Sequence, residues 1–300
     1  MPDQLDLAID AALDALLRAL ALERLDDDRF RGTNEPMRFA RTFGGQLLGQ
    51  TLMAASATVS GKLPHSLHSY FIAGGEPDAP IDLEVERIRD GRTVATRRIT
   101  LSQDGRTLLE TIVSFHANAG GADVSTAAPV VAPPDTLPRL QDWIDDLPPE
   151  LKQWNQNWID IPPPLDLRIG EAPTFLGGDR AEHDRPHWMR LPRPVGDDPA
   201  LHAALLAYAS DYLLLDMVFR SHPEEMVRST ATSLDHSLWI HRPVRFDRWH
   251  VYTQRTIGIV GHRGLAQGTI HDEDGRLVAT VMQECLARPV QSQGDAQWAT

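Results

Sequence analysis

Few residues in this 300-residue chain have the type and spacing that chemistry demands, and most carry an ordinary alternative. Gly44-Gly45-Gln46 opens a helical pattern. A helix start offers unpaired backbone N–H groups and the positive end of a dipole. Glycine lets a carbonyl oxygen approach those groups, as an oxyanion hole requires. Tight helix packing would explain the same glycines. Arg87, Arg89, Arg92, Arg97, Arg98 and Arg106 cluster in sequence, and Arg89 and Arg92 flank Asp90-Gly91. Two guanidinium forks at such a turn could clamp phosphate; a solvated sheet face fits as well. Asp235-His236 sets an acid beside a base, but strand neighbours point to opposite faces, which favours structural roles. His183 and His187 are four apart, yet Pro186 opposes the helix that would bring both to one metal ion. Cys285, the only cysteine, sits in an apolar run where a thiol is buried and inert. It excludes an internal disulfide and any multi-cysteine metal site. No Gly-x-Ser-x-Gly, Walker or Gly-x-Gly-x-x-Gly word occurs, so neither the α/β-hydrolase route nor nucleotide binding is supported.

The elements that must position these residues follow from periodicity. Leu5–Leu22 carries Leu5, Ile9, Leu13, Leu16, Leu17 and Leu20 on one helical stripe. Gly44–Ser60 is a second helix, followed by strand patterns at His65–Ile72, Ile81–Arg89, Thr93–Gln103 and Thr107–Ala117. Asp90-Gly91 and Asp104-Gly105 are strong hairpin signals. The stretch to Pro164 holds Gly120-Gly121, Pro133-Pro134, Pro148-Pro149 and Pro162-Pro163-Pro164, so it reads as a linker with one short helix near Pro138–Asp146. The pattern then returns: a helix over Pro199–Phe219, then strands near Ser229–His241, Trp249–Ile259, Leu265–His271 and Arg276–Arg288. His68-Ser69-Tyr70-Phe71-Ile72 matches His236-Ser237-Leu238-Trp239-Ile240, and Asp104-Gly105-Arg106 matches Asp274-Gly275-Arg276, at nearly equal offsets. Collinear matches indicate an internal duplication. The expected division is an N-terminal helix plus first unit over 1–117, a linker over 118–180, a second unit over 181–290 and a tail over 291–300.

The formal net charge is −13, which disfavours a general nucleic-acid binder. Only Lys62 and Lys152 are lysines, so the remaining cations are arginines suited to local phosphate contacts. The N-terminus lacks the cationic flank of a secretory signal. Leu5–Leu25 and Leu201–Phe219 are interrupted by Asp10, Asp14, Arg18, Asp211 and Asp216, so neither is expected to cross a bilayer.

Arg41-Thr42-Phe43-Gly44-Gly45-Gln46 with Gly49-Gln50, Leu67-His68-Ser69-Tyr70-Phe71 and Arg89-Asp90-Gly91-Arg92 resemble the N-terminal half of type II acyl-coenzyme A thioesterases (TesB-like). Tyr208-Ala209-Ser210-Asp211, Leu234-Asp235-His236-Ser237-Leu238-Trp239, His241-Arg242-Pro243 and Gln283-Glu284 resemble the C-terminal half. The likeness runs from Leu5 to Arg288 and is weakest across the linker. It implies an α+β double hotdog, two tandem units each with an antiparallel sheet wrapped around a long helix. It also implies hydrolysis of fatty acyl-CoA as substrate partner; no cofactor, no metal, a cytoplasmic setting and a homo-oligomer complete the expectations, the setting following from the N-terminus and the interrupted apolar stretches. By the same resemblance Asp211, Ser233 and Gln283 hold the attacking water; Ser233 replaces a frequent threonine and loses the methyl that fixes its rotamer.

The implied chemistry is physically reasonable. A thioester is electrophilic enough for a positioned water, Asp211 in apolar surroundings would have the raised pKa of a general base, and Ser233 and Gln283 can orient the water. Gly44, Gly45 and Gln46 would receive the carbonyl oxygen, and Arg89 and Arg92 the coenzyme phosphates. A hotdog hydratase or dehydratase, which needs a His–Asp/Glu acid–base site, and a non-catalytic acyl-CoA-binding module are the competing readings. The offsets place His65 and Val113 where the second unit has Ser233 and Gln283. One site per chain is therefore expected, the second unit activating water and the first unit's helix polarising the thioester.

Overall fold

The computed structural model describes residues 3–36, 38, 40–117, 120–145 and 147–289. The expected tail over 291–300 lies outside the described residues. Helix α1 (Gln4–Leu20) starts at a reciprocal cap: the Asp3 and Asp6 carboxylates each accept from the other's backbone N–H. The first half continues with β1 (Glu23–Arg24), β2 (Arg29–Gly32), α2 (Gly44–Ser56), β3 (Leu63–Phe71), β4 (Ile81–Asp90), β5 (Val94–Gln103) and β6 (Arg106–His116). The proline-rich stretch holds short helices α3 (Asp142–Asp145), α4 (Pro149–Asn155) and α5 (Asn157–Asp160). The second half comprises β7 (Asp166–Ile169), β8 (Arg185–Arg190), α6 (Pro199–Ser210), β9 (Ser229–Ser233), β10 (Asp235–Ile240), β11 (His250–Val260), β12 (Arg263–Asp272) and β13 (Leu277–Pro289).

All strands join one antiparallel sheet in the order β1-β2-β4-β5-β6-β3-β10-β13-β12-β11-β8-β7, with β9 beside β13. From the central β3–β10 pair each half runs outward through the same succession: β6, β5, β4, β2, β1 on one side and β13, β12, β11, β8, β7 on the other. The sheet covers α2 and α6, which pack on each other at its centre. This is a double hotdog of α+β class, and the duplication is complete down to its edge strands. The repeat begins at Asp166, inside the segment 118–180 expected to be linker. β7 has only four residues among prolines, too few to show a strand period.

Helix α6 is apolar on every side, and each residue from His202 to Ser210 is buried. The stretch Pro199–Val218 is long and apolar enough for a membrane span, yet 89% of that window is buried inside the fold. The helix was expected to run to Phe219 but ends at Ser210. A turn follows in which Leu213 takes φ +63°, and a short 3-10 helix (Leu215–Val218) resumes after it. A non-glycine residue with positive φ costs about 1–3 kcal/mol and must be held by its surroundings. The expected strand Ser229–His241 is likewise broken at Leu234, whose N–H and C=O bond to Glu284 and Phe71.

The sheet register corrects the alignment between halves. His68 is exposed and His236 fully buried, so the matching words face opposite ways. Cys285 faces Ser233 across β13–β9, whereas its counterpart Phe115 faces Pro64 across β6–β3. Pro64, not His65, therefore corresponds to Ser233, while Val113 keeps its correspondence to Gln283. Helix α2 ends on Ala57 where α6 ends on Asp211. The first half thus has no hydroxyl, amide or carboxylate at the three corresponding positions.

Candidate active site

Asp211 is the C-cap of α6, at the end of a helix with no solvent-facing side. The two central helices run antiparallel, so this end meets the start of α2. The approach is close: a Cβ on Gly44 would lie 2.7 Å from Asp211 Oδ2, one on Gly45 2.4 Å from the Tyr208 carbonyl, and one on Gly49 3.2 Å from the Ala204 carbonyl. The glycines are therefore required for helix–helix contact, the packing alternative in a stronger form. The same contact aims the α2 N-terminus at the Asp211 carboxylate.

Burial pushes the Asp211 pKa up to about 6; hydrogen bonds from Gln283 and the Gly45 N–H pull it back. Ser233, at the end of β9, and Gln283, on β13, reach the same point, and the Gln283 amide donates to Ser233 Oγ. The structure thus brings together Asp211, Ser233 and Gln283.

It adds His236, whose Nδ1 lies 3.8 Å from Asp211 Oδ1. Burial lowers the His236 pKa to about 4, so its ring is neutral near pH 7. Nδ1–H donates to Gln283 Oε1 at 3.1 Å, and Nε2 lies 2.8 Å from the Ser210 hydroxyl, which also reaches the Ala207 carbonyl at 2.8 Å. This fixes the Gln283 amide with its oxygen toward His236 and its NH2 toward Ser233 and Asp211. Sequence reasoning placed His236 in a structural role; strand alternation with inward Leu238 and Ile240 was the signal that it faces the core. Asp235 points the other way and accepts from the Glu284 N–H at 2.7 Å.

Asp211 and Ser233 line a cavity of about 1280 Å³. Its apolar walls include Leu47, Phe71, Trp158, Phe175 and Met226, so α2, the linker helices and the second half all contribute. Gly44 also lines it. Gln46 does not: its side chain is buried, accepting from the Glu35 N–H at 2.9 Å and donating to Asn34 at 2.7 Å. Its place in the oxyanion site was expected through the backbone N–H, and that group donates instead to the Phe43 carbonyl at 3.1 Å. Arg89 and Arg92 sit at the β4–β5 hairpin, and neither lines the cavity. The cationic side chains that do are Arg41 and Arg288, neither in an ion pair among the described residues. Arg41 packs against Gly74, where a Cβ would lie 2.3 Å from its Cδ. Cys285 is fully buried, and burial pushes its thiol pKa far up, so the reactive thiolate is not populated.

Comparison with known proteins places both halves of the chain in a family. The family model described as acyl-CoA thioesterase matches residues 163–286, and that described as acyl-CoA thioesterase N-terminal domain matches residues 33–116. The chain is 29% identical to acyl-CoA thioesterase 2 of Haemophilus influenzae, covering 92% of this chain and 98% of that protein. It is 33% identical to human acyl-coenzyme A thioesterase 8, covering 90% and 87%. The crystal structure of an acyl-CoA thioesterase II TesB2 from Mycobacterium marinum superposes with a TM-score of 0.76 at 34% identity, over 92% of this chain and 99% of that one. Matches in both halves, at about a third identity over nearly the whole length, establish that this chain belongs to the acyl-CoA thioesterase family.

Proposed function

We propose that the protein hydrolyses fatty acyl-CoA to free fatty acid and coenzyme A by direct attack of water. The observation that carries this is the meeting of Asp211 and Ser233 on one wall of a large apolar cavity, with the buried Gln283 amide bonded to both from behind that wall. A water between Asp211 and Ser233 gives one proton to the carboxylate as its oxygen bonds to the thioester carbon. Ser233 Oγ accepts from Gln283, which leaves the serine proton free to direct the water's lone pair. The tetrahedral intermediate collapses with cleavage of the C–S bond, and the thiolate takes the proton held by Asp211. We assign the carbonyl oxygen to the Gly44 N–H at the head of α2, since Gly45 is turned to Asp211. Both halves then contribute to one site.

A hydratase needs an acid–base histidine that exchanges protons with substrate. His236 is fully buried, neutral, and engaged at both nitrogens, which favours hydrolysis. The test is thiol release from a panel of acyl-CoA chain lengths: a chain that binds acyl-CoA but frees no thiol is the binding module instead. Direct attack also means that no acyl-enzyme accumulates. Intact-protein mass spectrometry after rapid quenching is expected to show the unmodified mass, and Cys285→Ala to retain near-normal turnover. An acyl adduct on Ser233 or Cys285 refutes direct attack.

For the coenzyme phosphates, Arg41 and Arg288 are better placed than Arg89 and Arg92. Arg41→Ala is expected to raise KM for acyl-CoA about tenfold, the scale of one charge-assisted hydrogen bond. KM for an acyl-pantetheine thioester, which lacks those phosphates, is expected to stay unchanged. An equal rise for both substrates would show that Arg41 does not read phosphate.

A further inference from the structure

The backbone around Asp211 is gripped by three side chains that the reaction does not use. The carbonyls of Ser210, Tyr212 and Leu213 accept, respectively, from Tyr252 Oη at 2.8 Å, Gln254 Nε2 at 2.8 Å and Arg185 Nη2 at 3.0 Å. Tyr252 and Gln254 are alternate residues of β11, so both point inward, and Arg185 faces Gln254 across the β8–β11 pair. Arg185 also donates to Gln254 Oε1 at 3.2 Å and is paired with Asp216, whose carboxylate accepts the N–H groups of Thr174 and Phe175. All three gripping side chains are fully buried, and none lines the cavity. A buried arginine is a poor way to gain stability, because desolvation offsets the attraction of its partner. What the group does locally is hold a turn that Leu213 adopts only under constraint, with φ +63°.

We infer that Arg185, Tyr252 and Gln254 are positioning residues that keep the strained 210–213 turn in place, and with it the Asp211 carboxylate beside Gln283. The inference rests on the reading of Asp211 as the base. The groups facing that carboxylate are the Gly45 N–H from α2, His236 from β10, Gln283 and Cys285 from β13, and Tyr252 from β11. Losing the donor to the Ser210 carbonyl leaves an uncompensated negative dipole end beside Asp211, which disfavours its anion.

The experiment measures kcat, KM, thermal midpoint and the pH profile for Tyr252→Phe and Gln254→Leu, each alone and with Leu213→Gly. Each single variant is expected to lower kcat about tenfold at nearly constant KM, because slight misplacement of a reacting group is costly. Tyr252→Phe also moves the acid limb of kcat to higher pH. Glycine adopts positive φ without strain, so Leu213→Gly is expected to recover several-fold of the lost kcat. Leu213 is itself buried and borders the cavity, so the double variants are read against Leu213→Gly alone; wild-type kcat and acid limb in Tyr252→Phe, or no recovery relative to that reference, overturns the inference. If Gln254→Leu fails to fold, Tyr252→Phe, which removes a single oxygen, decides alone. Asp211→Asn run in parallel separates the two readings: if it retains turnover, the base assignment fails whatever the grip variants do.

Discussion

Asp211→Asn is expected to lower kcat by about a hundredfold or more, the scale of losing a general base. Asparagine keeps the shape and one acceptor oxygen for the Gly45 N–H and Gln283, but it cannot take a proton from water. The wild-type profile gives the sign. The basic form of Asp211 exists above its pKa of about 6, so kcat falls as pH drops through that value. The residual turnover of Asp211→Asn is expected to lack this limb. The fold responds oppositely. The carboxyl holds its proton more tightly when folded than at the ordinary value of 3.8, so the native state binds more protons between these values and stability declines as pH rises through them. Removing the ionisable group is therefore expected to raise the thermal midpoint near neutral pH. Lost activity with a raised midpoint marks a residue kept for chemistry. A folded Asp211→Asn protein with wild-type turnover would rule out the assignment.

Gln283→Leu is expected to have the next largest effect, about a hundredfold in kcat, comparable to removal of a preorganised donor. Gln283 touches every polar member of the site: it donates to Ser233, accepts from His236 and bonds to Asp211. Leucine keeps most of the volume, so packing survives, but the buried His236 N–H loses its acceptor. That orphaned donor costs about 1–3 kcal/mol of stability. Gln283→Glu separates geometry from charge. A second carboxylate beside Asp211 raises the pKa further, and the acid limb of the profile moves to higher pH. A Gln283→Leu enzyme with kcat within twofold of wild type would show that the amide only fills space.

The contrast between what the residues reveal in order and what they conceal is physical. The hairpins were legible because Asp104 and Gly105 take φ +48° and +78°, a conformation that Asp-Gly accepts readily. The break after α6 was not, because Leu213 gives no sign of positive φ; the buried side chains of β8 and β11 impose it from far along the chain. The edge strands β1, β2 and β7, of two to four residues, are too short to show a period. The His-Ser words misled by one residue, since a matching word fixes neither register nor face, and a slip of one turns every side chain over. Asp211, Ser233 and Gln283 were legible only through family resemblance, because helix end, strand end and strand interior meet solely in three dimensions. Gln46 shared a word with the glycines that open α2, but its side chain is buried against Asn34 and Glu35. Arg41, in the same word, was passed over because nothing in sequence shows that it borders the cavity.

The two halves meet edge to edge along β3 and β10 and belong to one polypeptide. Two identical chains paired this way would form a closed symmetric dimer in which every substitution appears twice. An aspartate gained at one helix end would be gained at both, and any glycine needed to receive it would have to serve there too. Fusion removes that obligation. Each copy can drift alone, which is how one helix comes to end on Asp211 and the other on Ala57. It also fixes a dependence: β3 or β10 released from its partner would present a bare strand edge to any other chain in solution. Broken symmetry inside a symmetric frame is thus the record of two copies that gave up independence for specialisation.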